Sequence, residues 1–513
     1  MTYTPKKKGI SHFTIVKILK KFSPKEIAEF EKFLSSPFYN NQSTVVKLFS
    51  ELKKYYPGFT DNRITKEYLF SIVSRGNKYD DKLFRKHLSL ISKLAEEYLN
   101  VLQMRKDSDK KELNILEQLS KRDLNDVFTK KLKEVEKAFG KRNKLDPDNF
   151  IIMQQLNIVR TSHRFSQNYT RDDYESLSST YEILLNYFVH ESSSILNQYK
   201  TDKYSFKENK KRTSPEKHFN QIWLEEQIIE LRKSVPPGNT NTILFLDIIS
   251  NTLKLNSPGG FEAYKRLKKI IRRNSDKLSR SFLFHCMKRL NIFCISEGVR
   301  GENDMNRELF ENHKLMLQNN LFFNEEINDM NLLTFRIILR TALKVNEVEW
   351  ATAFVNENIR KITEESRTNV YNFAQTLLAF QKNDYTGSLR HISRISKIQS
   401  LIPMSIDIYV LKAKIFYELG YIDSAKSTAN SFRHYINGNK LISDYLKSVL
   451  LKFLKFYKSL IRLKFNGSSS DLKNFISEIK NSKDTTERKW LIEKAEGLLA
   501  AVKFPAEQER SVG

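Results

Sequence analysis

Apolar residues recur every three to four positions along most of this chain, the spacing that turns one side of an α-helix toward a core. The pattern first shows from His12 to Phe22, an amphipathic helix. Ser23-Pro24-Lys25-Glu26 then supplies an N-cap serine, a first-turn proline and a capping-box glutamate, so a second helix begins there. It carries Ile27, Phe30, Phe33 and Leu34 on one face and must end at Ser36, because the residue before Pro37 is pushed out of helical geometry. Helices over 44–56 and 64–73 follow, split by Pro57-Gly58. A longer one over 80–105 has Leu83, Phe84, Leu88, Ile91, Leu94, Ala95, Tyr98 and Leu102 at helical spacing.

From 106 to 145 charges crowd out the apolar positions, which predicts a long solvated helix or a bridge, closed by a turn at Asp146-Pro147-Asp148. Helical patterning resumes over 149–165 and 172–199. A polar, basic stretch at 201–214 reads as a loop, and Pro236-Pro237-Gly238 and Ser257-Pro258-Gly259-Gly260 are firm breaks. The expected organisation is a basic helical module over 1–105, a bridge over 106–145, helical hairpins over 146–300, repeats and capping helices over 301–503, and a tail over 504–513.

Within the last third, turn residues Asn346, Asn383 and Gly420 stand 37 positions apart. Around the third, Tyr409, Ala413, Phe416, Gly420, Ala425, Ala429 and Phe432 fall where a tetratricopeptide-type hairpin places its aromatic and small residues. Small side chains let two helices approach; aromatic ones fill the space toward the next hairpin. The match is partial. Such units usually repeat at about 34 residues, and Asn372 and Thr376 occupy places where an aromatic and a small residue are usual. The fold class expected is therefore all-α, an elongated α-solenoid of stacked, tetratricopeptide-like hairpins behind the N-terminal module.

The N-terminal residues carry a resemblance of their own. Phe22-Ser23-Pro24-Lys25-Glu26, Phe30 through Ser36-Pro37-Phe38-Tyr39-Asn40, and Leu48-Phe49 through Tyr55-Tyr56-Pro57 are similar to the opening module of a bacterial helical-repeat family common in the Bacteroidota. Thr65 to Phe70 and Tyr79-Asp80-Asp81-Lys82 with Leu83, Leu88 and Ser89 extend it to about residue 105. The resemblance implies a helical fold and brings no activity with it, since that family has no established chemistry.

Composition sharpens the picture at two points. The 513 residues include only 15 Gly and 11 Pro, few breaks for so long a chain, which suits helix throughout. The net charge of +27 is uneven: residues 1–145 hold 32 Lys and Arg against 18 Asp and Glu, about half the excess in just over a quarter of the length. Long-range attraction to an anionic partner follows, and net charge alone does not choose among nucleic acid, acidic protein and membrane surface. Cys286 and Cys294, eight positions apart on one helix, lie about 12 Å apart by helical rise and cannot bridge; two buried thiols in a reducing compartment are expected. Lysines interrupt every candidate leader or membrane-spanning run, so the expected location is cytoplasmic.

Chemistry has little support. The sequence lacks a phosphate-cradling glycine loop, His-Glu-x-x-His and Cys-x-x-Cys, and its histidines have no second ligand at helical spacing, so no enzyme, metal or cofactor is expected. His285 and Cys286 are adjacent on a helix and point to different faces, which sets them apart as a catalytic pair. Two surfaces stand out. Gly259 and Gly260 open a helix bearing Lys265, Arg266, Lys269 and Arg273, a candidate anion site. In the repeat frame Arg336, Arg340 and Lys344 form a basic stripe on one helix, with Phe373, Leu377 and Lys414 presented from the next two hairpins. A groove so lined suits an acidic or extended protein segment with apolar anchors. The leading expectation is therefore a non-enzymatic interaction scaffold. The alternative is a nucleic-acid-associated helical repeat protein using the basic N-terminal module. Attachment to a membrane through Phe13, Val16 and Leu19 ranks third, ahead only of an enzyme.

Overall fold

The computed structural model of the protein describes residues 10–503, apart from 62–63, 75–77, 143, 166–170, 206–220, 256, 301–304, 324–328, 397–400 and 483. The basic loop read at 201–214 lies for the most part outside the described residues. Helix is the only extended regular element among those described; β-type pairing is confined to isolated bridges, Leu145 with Leu278 and Phe323 with Met330. No described helix is long and apolar enough to cross a membrane.

The chain divides into two compact units, residues 1–139 with 155–170, and residues 140–154 with 171–513. In the first, α1 (Thr14–Leu19), α2 (Pro24–Leu34), α3 (Ser43–Lys53), α4 (Lys66–Val73) and α5 (Asp81–Lys106) share a core, followed by α6 (Ser108–Ser120) and α7 (Asn125–Gly140). The capping box forms as its sequence requires: Ser23 Oγ accepts from Glu26 N–H, and Glu26 accepts from Ser23 N–H at 2.7 Å. After α2, Asn40 replaces the lost helical bonds by donating to Leu34 O (2.9 Å) and Gln42 O (3.1 Å) while its Oδ1 accepts from Gln42 N–H. That is the physical content of the Ser36 to Asn40 motif: proline stops the helix and asparagine satisfies its open end. Phe22, Phe30, Phe33, Phe49 and Tyr98 make the aromatic centre, with Phe30 and Phe49 rings 5.0 Å apart. Phe13, Val16 and Leu19 belong to this core too, so the apolar face that a membrane would need is already used.

The bridge expected over 106–145 is instead two helices with a turn at Asp123, whose φ is +54°. Leu113 and Leu116 on one, and Phe128, Leu132 and Val135 on the other, are buried. A stripe of two or three apolar residues per helix was enough to fold a segment that its charges made look solvated.

In the second unit the helices run α8 (Asp148–Phe165, whose first residues belong here), α9 (Arg171–Ser205), α10 (Gln221–Ser234), α11 (Thr240–Lys254), α12 (Gly260–Asn274), α13 (Arg280–Arg300) and α14 (Asn306–Gln318). Then come α15 (Leu332–Lys344), α16 (Val348–Asn358), α17 (Glu364–Gln381), α18 (Tyr385–Ser393), α19 (Ile402–Glu418), α20 (Ile422–Gly438), α21 (Asp444–Asn466), α22 (Ser469–Asn481) and α23 (Arg488–Lys503). Packing is mainly between helices close in sequence; α15 also meets α19, and α9 also lies against α21.

The 37-residue register is a register of helix ends. Asn346, Asn383 and Gly420 adopt φ of +62°, +62° and +75°. After each, the next amide reaches back to close the helix: Glu347 N–H to Ala342 O (3.0 Å), Asp384 N–H to Ala379 O (2.9 Å), Tyr421 N–H to Phe416 O (2.9 Å). These are Schellman caps, which need a left-handed residue and therefore favour Gly or Asn. Because all three occur at the same place, α15, α17 and α19 end in step and lie side by side.

Candidate functional site

The first helices of the three hairpins bring together residues far apart in sequence. Arg336, Arg340 and Lys344 lie along α15 as the helical spacing demands. Asp407, nearly solvent-free on α19, meets them: Arg336 donates to it from Nε and from Nη2 (2.8 Å), and Arg340 donates from Nη1. Glu487, just before α23 and held at φ +55°, accepts from Arg340 Nη2 (3.3 Å) and from Lys414 Nζ (2.8 Å). The result is one chain of charges, Arg336–Asp407–Arg340–Glu487–Lys414, running across α15, α19 and the start of α23.

Burial alone would raise the Glu487 carboxyl, but Lys414 and Arg340 outweigh it and bring it down to about 2. For Arg340, desolvation pulls the guanidinium down while Asp407 and Glu487 more than restore it, leaving it above its ordinary value. The Lys414 ammonium also sits 4.6 Å from the Phe380 ring centroid and 5.4 Å from that of Trp490.

Charge does not balance here. Arg336, Arg340, Lys344 and Lys414 face Asp407 and Glu487, an excess of two positive charges. Lys344, an exposed residue, pairs with no carboxylate among the described residues. Desolvation in the groove lowers its pKa, and Arg340 adds to the effect. Next to it lies a cavity of about 150 Å³ whose apolar wall is Leu343, Leu377, Phe380 and Val410.

The sequence-expected site is thus partly assembled and partly spent. Arg336, Arg340 and Lys414 are engaged with internal carboxylates. Phe373 is wholly buried in the core with Ile392, Met404, Leu411 and Ile415, and so cannot anchor a partner. Leu377, half-buried, and Lys344 do reach it. Sequence reading missed Asp407 and Glu487. The available signal was a lone acid inside the apolar run Ile406 to Ile408, facing a stripe of arginines about seventy positions earlier, a pairing that spacing alone cannot make.

At the second candidate, Gly259 adopts φ +84° to open α12. Gly260 is there for packing: a Cβ would stand 2.4 Å from Leu255 O, and its amide already donates to Ser257 O (2.9 Å). It is therefore not a free anion-binding amide. On α12, Lys265 pairs with Glu262 (3.0 Å), and Lys268 with Glu308. Arg266, Lys269 and Arg273 are exposed along one face and pair with no carboxylate among the described residues.

Cys286 and Cys294 are free and buried, and burial pushes the Cys286 thiol up to about 12, far from the thiolate that reactivity needs. Among the described residues no group of three or more His, Cys, Asp and Glu is placed to hold a metal ion. No protein-family model, curated protein or solved structure matches this chain.

Proposed function

We propose that the protein is a non-enzymatic interaction scaffold, an α-solenoid whose groove along α15, α17 and α19 takes an acidic, extended segment of a protein partner. The observation that carries this reading is the uncompensated charge: two net positives, one of them on the unpaired Lys344, beside an apolar wall. A carboxylate of the partner would complete the charge chain, and an adjacent apolar side chain would rest on Leu377 and Phe380. Both features are needed, since exposed charge pairs by themselves contribute about 0–1 kcal/mol.

Lys344 is the informative position, because reversing Arg336 or Arg340 would strand Asp407 and disturb the fold itself. Fluorescence anisotropy with peptides that join Asp or Glu to Leu or Phe should register binding to the full chain. Lys344→Glu should weaken it at least tenfold, whereas Lys344→Arg should preserve it. Equal affinity in the Lys344→Glu protein would end the groove reading.

A second reading, contact with nucleic acid, is favoured by the exposed Arg266, Lys269 and Arg273 of α12 together with the basic first 145 residues. Salt separates the two. Phosphate contacts weaken log-linearly with salt, with a slope of about −0.9 per contact on duplex DNA, while a groove with apolar anchors keeps much of its affinity.

A further inference from the structure

Where α9, α11 and α13 meet, an arginine stands without a counter-ion. Arg289, on α13, donates from Nη2 to the backbone oxygen of Ser194 (3.0 Å) and to Ser194 Oγ (3.1 Å). Its Nη1 is closed off from solvent and has no hydrogen-bond partner. No carboxylate pairs with this guanidinium among the described residues, and desolvation draws its pKa down. Arginine nonetheless remains charged in a protein. An ion left unpaired at such a place costs several kcal/mol.

A cavity of about 30 Å³ opens here, lined by His190, Ser193, Ser194, Thr252, His285 and Arg289 among others. Its polar groups divide into donors and acceptors, with the donors at Arg289 and Ser194 and the lone pairs at Ser193 and Thr252. The Ser193 and Thr252 hydroxyls give their protons to Val189 O (2.6 Å) and Ile248 O (2.8 Å), one turn back on their own helices. Ser194 Oγ accepts from Arg289, which leaves its own proton to give. His190 Nδ1 is buried and unpartnered, like Arg289 Nη1. His285 Nδ1 is held at Ser281 O (2.9 Å), leaving Nε2 as its second nitrogen. No Asp or Glu lines the cavity; Glu191 stands 3.8 Å from His190 Nε2, and Asp148 is near enough to His285 to feel its charge.

We propose that this cavity is a binding site for a small inorganic anion, held by the Arg289 guanidinium, the Ser194 hydroxyl and the His190 imidazole. Water could meet the hydrogen-bonding demand but not the charge. A water needs about 10–15 Å³ of such space, so the cavity has room for one monatomic anion, or for the inner part of a phosphate-sized oxyanion whose remaining oxygens would lie at the mouth beside the exposed His285. The site is separate from the groove and does not depend on the scaffold reading.

The test uses the full chain in potassium gluconate at constant ionic strength, titrated with chloride, inorganic phosphate or sulfate and followed by calorimetry and thermal unfolding. At least one of these anions should give one-site heat and a saturable rise in unfolding temperature, distinct from the linear rise that excluded salts produce. Arg289→Met should abolish both while matching or exceeding the wild-type unfolding temperature in gluconate, because it removes the unpaired charge. Ser194→Ala should weaken binding about tenfold, and carries the test if Arg289→Met does not fold. Absence of a saturable response to all three anions, or an undiminished response in the variants that fold, would overturn the proposal.

Discussion

The sharpest consequence of the charge chain is a pH-dependent stability vested in Glu487. In Glu487→Gln the shape is kept and the charge is lost, so Lys414 and Arg340 face a neutral amide. The carboxyl lies at about 2 in the folded protein against an ordinary 4.5. At 1.36 kcal/mol per pH unit, that lowering corresponds to about 3 kcal/mol of folding free energy. The sign follows from the depression. The unfolded chain takes up the proton first, so the contribution is fully present above about pH 4.5 and is lost as pH falls toward 2. Wild type and variant should therefore differ by up to about 3 kcal/mol at pH 7, and the difference should shrink between pH 4.5 and the lowest pH at which both still fold. Urea unfolding followed through Trp490, with Trp223 and Trp350 replaced by Phe, reads the transition at the site itself, since the Trp490 ring lies 5.4 Å from Lys414. A difference below about 0.5 kcal/mol at pH 7, or one unchanged from pH 7 to pH 3, would mean that these ion pairs do no more than cancel their desolvation.

Two further outcomes test the local structure. Gly420→Ala, which forces a Cβ onto a residue at φ +75°, should cost about 1–2 kcal/mol in urea unfolding, whereas Asn383→Gly at φ +62° should be neutral or slightly stabilising; equal losses at the two would remove the left-handed cap as the cause. Ser23→Ala removes the acceptor for Glu26 N–H and should cost about 1 kcal/mol, a loss that chemical denaturation of the N-terminal unit would register.

Much of the local structure was legible beforehand because its causes are local. Ser23 and Glu26 are three residues apart, and a capping box needs nothing else. Asn346, Asn383 and Gly420 could be picked out as helix ends because few residues tolerate a left-handed backbone, and their even spacing foretold that α15, α17 and α19 would stop in step. The segment 106–145 misled for a related reason: charge is counted at every position, but burial needs only one stripe, and Phe128, Leu132 and Val135 supplied it.

What the sequence by itself determined is the helical class, the caps and the stripe of Arg336, Arg340 and Lys344, each set by residues within a few turns of one another. Tertiary structure decided what those groups face. It brought Asp407 and Glu487 to the arginines, turned Phe373 into the core, left Lys344 unpaired, and set Arg289 beside a cavity with no acid in it. The reason is physical: helical periodicity fixes which side chains share a face, whereas the partner of a charge depends on which other helix arrives there, and that is settled by the packing of apolar surfaces many residues away.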